Sequence, residues 1–122
     1  MNRETALQLV GFIGQFENEP PLYELSKELT LAPYMYGQAI ADFISFCYRE
    51  QVVQTDCYDI NDEFTTNRNN GIWFDNLNEQ QVCQCIGIII RQDRFIDGFI
   101  NLAIKDGTIV RLLNRIKVLY DL

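Results

Sequence analysis

The sequence predicts an all-α fold: a compact orthogonal bundle of about five helices with one irregular acidic loop over about residues 51–77. Three observations carry this. Apolar residues recur at helical spacing along most of the chain. Residues that cap helices stand at the head of these segments. The strand-like runs that do occur lack evident partners. With 122 residues, 48% of them hydrophobic, the chain is expected to form one domain over 1–122 around a single core.

The first helix is expected from about Arg3 to Phe16, with Ala6, Leu9, Val10, Ile13 and Phe16 on one stripe. Gly11 and Gly14 lie inside it. Each costs about 1 kcal/mol relative to alanine in a helix interior, so another helix is expected close against that face. NEPP, Asn18 to Pro21, is a break. LYELSKEL, residues 22–29, is expected to form a short helix. Thr30 then reads as an N-cap with Pro33 in the first turn, opening a helix to about Arg49. It buries Ile40, Phe43, Ile44 and Cys47 and carries Tyr34, Tyr36, Phe46 and Tyr48 around its edges.

Residues 51–77 form the irregular part. VVQTDCYDI suits a short strand or an extended loop, and NRNNG, Asn67 to Gly71, is a turn. Ile72, Trp73 and Phe74 are too apolar to be left in water, and Trp73 is expected to pin the loop onto the helices. Asn78 then caps a helix with Gln81 three residues on, the spacing of a capping box. VCQCIGIII, apolar nearly all round, makes this helix central and buried as far as Gln92. Asp93 is expected to cap a helix over Arg94 to Lys105, with Gly107 as its stop. Thr108 caps the last helix, whose stripe is Ile109, Leu112, Leu113, Ile116, Leu119 and Tyr120, with Arg111, Arg115 and Lys117 on the other side.

Charge and missing residues exclude function classes. The net charge is −7; residues 1–77 hold 12 acids against 4 bases, and residues 78–122 hold 5 against 6. Such a field repels phosphate, so nucleic acid is a poor partner and another protein, in particular a basic one, a better one. A helix-turn-helix over LYELSKEL and MYGQAIADFISFCYRE would place no base on its recognition helix before Arg49. The face of Arg111, Arg115 and Lys117 is the only surface suited to nucleic acid. No histidine is present, which removes the commonest general base and zinc ligand, and no nucleotide or hydrolase motif is found. The chain is therefore expected not to be an enzyme and to need no cofactor. Residues 59–70 fail as a calcium loop, with Phe64 where glycine is needed and Asn70 where glutamate is needed.

Cys83 and Cys85 are too close for a usual zinc pair and splay by about 200° on a helix. They, Cys47 and Cys57 read as free thiols and no metal site. The N-terminus MNRETALQLV reads as neither a signal nor a transit peptide, and no apolar run approaches a membrane span, so the cytoplasm of a bacterium is the expected setting. A mobile element is the other source considered, with a host protein as the target to be inhibited or regulated.

Two groups of residues are candidates for function. RQDRFIDG, Arg91 to Gly98, reads either as a helix corner, with Asp93 as cap and Phe95 in the core, or as an anion clamp built from Arg91 and Arg94. Tyr34 and Tyr36, with Asp56, Asp59 and Asp62, are the second candidate: tyrosines as affinity anchors and acids as steering charges for a protein partner.

The segment Arg91-x-Asp93-Arg94-Phe95-x-x-Gly98, followed by Ala103, Gly107, Leu112, Leu113 and Arg115, resembles the C-terminal signature of an uncharacterised bacterial domain family. The likeness covers about a third of the chain. Asp56-Cys57 stands where that family typically has Asp-Trp. The resemblance implies a helical C-terminal half and no assigned activity.

Overall fold

The computed structural model describes residues 1–18, 23–25, 34–36, 38–53, 60–96 and 98–122. Helices α1 (Arg3–Val10), α2 (Phe12–Asn18) and α3 (Gln38–Arg49) come from the N-terminal half, together with strands β1 (Tyr23–Leu25) and β2 (Tyr34–Tyr36). Then follow α4 (Asn61–Asn67), α5 (Gly71–Phe74), α6 (Glu79–Gln92), α7 (Phe99–Lys105) and α8 (Thr108–Leu119). The fold is all-α apart from one short ladder. No helix among the described residues is long and apolar enough to cross a membrane.

The expected first helix is divided. Asn2 caps α1 by accepting the Thr5 N–H at 2.7 Å, and Gly11 ends it. Ala6, Leu9, Phe12 and Phe16 are buried, and Phe12 and Phe16 meet Phe43 edge-on at 5.3 and 5.2 Å. The close helix crossing expected at the glycines is not found: Gly11 is exposed, and a Cβ on Gly14 would meet nothing within 4 Å.

The helix expected over residues 22–29 is also corrected. Tyr23–Leu25 is strand, pairing antiparallel with Tyr34–Tyr36 in the register Tyr23↔Tyr36, Glu24↔Met35 and Leu25↔Tyr34. Tyrosine loses rotamer freedom in a helix and suits a ladder, so a partner segment is enough to reverse a weak local preference. The next helix therefore begins at Gln38 rather than near Thr30. Thr30 and Pro33 lie outside the described residues, as do residues 54–59 of the expected acidic loop.

The rest of that loop is not irregular. It contains α4 and α5, which local chemistry builds. Asp62 and Glu63 stand in the first turn of α4, where the helix dipole favours acids. Asn70 accepts the Ile72 N–H at 3.2 Å and caps α5. Phe64 and Phe74 enter the core. Trp73, half-buried, packs against the core and so holds the segment down as expected. Ile72 does the opposite of what was expected and is 74% exposed.

The C-terminal half follows the sequence closely. The capping box on α6 is formed, with Gln81 N–H donating to Asn78 Oδ1 and Asn78 N–H donating to Gln81 Oε1. Val82, Cys83, Cys85, Ile86 and Ile88 to Ile90 are buried along it. α8 packs against α1, α2, α5, α6 and α7, with Ile109, Leu112, Leu113 and Ile116 fully buried. Gly107 ends α7 at φ 85°, in the left-handed region that glycine enters without a Cβ clash. Thr108 is not the cap expected of it. Asp106 fills that role by accepting both the Thr108 N–H at 2.9 Å and its hydroxyl at 2.6 Å.

Candidate functional site

The corner between α6 and α7 carries RQDRFIDG. Asp93 ends α6 and is buried, and its Oδ1 accepts the Ile100 N–H at 3.0 Å. It thus caps a helix that starts six residues later, at Phe99, instead of at Arg94 as expected. Between them the chain makes a tight turn: the N–H groups of Phe95 and Ile96 both reach Gln92 O, at 3.0 and 2.9 Å. Gly98, at φ 77°, turns the backbone into α7.

This geometry reverses the expectation for Phe95. Successive side chains in a helix-like turn point about 100° apart. With Asp93 drawn inward to its N–H, the residue two positions on faces away from the core. Phe95 is 85% exposed and Ile96 48% exposed. Arg94, also exposed, donates from Nη2 to the Tyr48 hydroxyl at 2.9 Å, with its guanidinium 5.9 Å from that ring. Tyr48 lies in the last turn of α3 and is 41% exposed. The corner and the end of α3 are therefore joined into one aromatic and cationic surface. Arg91 is half-buried and engaged with its surroundings, so it does not present a free fork beside Arg94.

The second candidate group is dispersed or undescribed. Asp62 is exposed in α4. The backbones of Tyr34 and Tyr36 belong to β2, and Asp56 and Asp59 lie outside the described residues. Ile96 was missed as a surface residue by sequence reasoning, whereas Tyr48 stands exposed at the edge of α3 as expected. The available signal was local: Ile96 adjoins Phe95 between charged residues and a glycine, an apolar pair in a turn.

Burial holds the three described thiols in their protonated form. Burial, with the Cys83 thiol adding, pushes Cys47 far above the ordinary range. Burial first and Glu79 second push Cys83 up to about 11, and burial pushes Cys85 up to about 12. Protonated thiols are poor nucleophiles and poor metal ligands. Among the described residues, no three side chains of the metal-binding kinds are grouped to hold an ion.

A family model matches residues 1–122, that of DUF6508, a family of unknown function. The chain belongs to DUF6508. The match covers the whole chain, including the part that precedes Arg91. No curated protein and no solved structure matches this DUF6508 chain. Membership in DUF6508 carries no assigned activity, so the residues themselves must supply the functional reading.

Proposed function

We propose that this chain is a non-enzymatic protein-interaction module of the cytoplasm that docks a protein partner through the α6–α7 corner. The observation that carries this is Phe95, an aromatic side chain 85% exposed beside an exposed Ile96 on a hydrogen-bonded turn. Aromatic side chains on a fixed backbone give contact area at little entropic cost and rank among the usual hot spots. Tyr48 and Arg94 extend the surface with a hydroxyl and a cation. Phe95 and Tyr48, both exposed, join Tyr34 and Tyr36 as the proposed affinity anchors. Asp56, Asp59 and Asp62 act as steering charges within a chain of net charge −7.

Support for a non-enzymatic reading comes from the absence of histidine and from thiols held protonated by burial. Support for a reducing compartment comes from Cys47, Cys83 and Cys85, which are unpaired. The test is photo-crosslinking in the native cell, with the reactive residue at position 95 or, as a control, at exposed Gln8. A discrete adduct from position 95 and none from position 8 is expected. No adduct at 95, or the same adducts from both, would remove the corner from the interaction.

A further inference from the structure

A groove of about 620 Å³ runs between α5 and α8, lined by Ile72, Asp75, Arg111, Asn114, Arg115 and Val118, among others. Two of its apolar members are in solvent, Ile72 at 74% and Val118 at 67% exposed, while Phe74 is buried beneath them. Its cations stand one helical turn apart on α8, the spacing at which two side chains share a face. Arg115 is fixed by its Nε, which donates to Leu77 O at 2.7 Å. Arg111 lies with its guanidinium 6.0 Å from the Phe74 ring. No carboxylate among the described residues pairs with either arginine. Asp75 is the acid in this lining, so two cations face one anion.

We propose that this groove docks an acidic peptide segment of a partner protein. Arg111 and Arg115 take its carboxylates, and Ile72 and Val118 take its apolar side chains. The groove goes beyond the Phe95 corner, and neither surface depends on the other. Charge complementarity selects the occupant. Two unpaired guanidiniums, one already oriented, suit a carboxylate, which they bind through paired N–H groups. A screening length of about 8 Å at physiological salt lets these arginines outweigh the distant acids of the chain. A nucleic-acid strand is the poorer fit. It needs a longer run of cations, and both Asp75 and the net charge of −7 oppose it.

The test selects binders to the full chain from a displayed random dodecapeptide library. The enriched peptides are then titrated by fluorescence anisotropy onto wild type, Arg111→Ala, Val118→Ser and, as a control away from both surfaces, Gln8→Ser. Arg115 is left unchanged because it holds Leu77 O. The three substituted side chains are exposed, and matching thermal midpoints confirm that each variant is folded. Enriched peptides should carry Asp or Glu beside Leu, Ile or Phe. They should lose affinity tenfold or more on Arg111→Ala and on Val118→Ser, and none on Gln8→Ser. Enrichment without acidic residues, or equal affinity for all variants, overturns the proposal. Tighter binding of a single-stranded oligonucleotide through Arg111 overturns it in favour of nucleic acid. Self-association abolished by Arg111→Ala overturns it in favour of a second copy.

Discussion

Phe95 leaves most of its surface in water while the backbone beneath it is tied to Gln92 O. Its truncation opens no cavity, so Phe95→Ala should change stability by less than about 0.5 kcal/mol. Phe74, 2% exposed and packed against Phe64 and Trp73, sets the contrast. Phe74→Ala should cost about 3–5 kcal/mol. Urea midpoints compared at constant slope decide this. A Phe95→Ala loss as large as that of Phe74→Ala would place Phe95 in a packed interior. Part of this corner was legible: the turn between two helices and Asp93 as the acid that caps the second. The direction of Phe95 was not, because it follows from Asp93 reaching Ile100 N, a contact seven residues long that no local pattern encodes.

Among the elements, the strongest local signals specified structure directly. Asn78 and Gln81 satisfy each other's N–H groups and start α6 where the sequence places it. Gly107 stops α7 with the conformation expected of it. Weak local signals were overruled. Tyr23–Leu25 became a strand because Tyr34–Tyr36 lay alongside, and pairing between segments is invisible to periodicity within one. The end of α3 offers a test at this scale. The N–H groups of Val52 and Val53 both turn back to Cys47 O, which holds Gln51 at φ 59°. Glutamine pays a steric cost there that glycine does not. Gln51→Gly should therefore stabilise the protein by about 0.5–1 kcal/mol. A lower unfolding midpoint for this variant would mean that the Gln51 side chain makes a compensating contact.

In the whole molecule, α8 is the element most others rest upon, touching five helices, while α6 supplies the apolar bulk. Cys83 and Cys85 sit in α6 with ordinary values near 9 raised to about 11 and about 12. The folded state thus keeps protons that the unfolded chain releases near pH 9. The stability from burying neutral thiols is complete below that pH and is lost as pH rises through the raised values. The loss amounts to about 1.4 kcal/mol per pH unit for each thiol within this window. Denaturation in reductant at about pH 8, 9 and 10 measures it. Cys83→Ala should fall less steeply than wild type above pH 9, and equal slopes would show that Cys83 titrates alike in both states.

By itself the sequence determined the helical class, the limits of α6, the stop at Gly107, the buried stripe of α8 from Ile109 to Ile116, though not its continuation to the exposed Leu119, and the absence of histidine-based chemistry. Each of these rests on interactions within a few residues, or on composition, which a linear pattern records. Tertiary structure decided the rest. It paired β1 with β2, and it let Phe64 and Phe74 anchor two short helices inside a stretch that reads as loop. It also turned Phe95 into solvent and set Arg111 and Arg115 in one groove with Ile72 and a single acid, Asp75. Those outcomes depend on which distant groups meet, and side-chain direction is settled by the contact that stabilises most rather than by hydropathy alone.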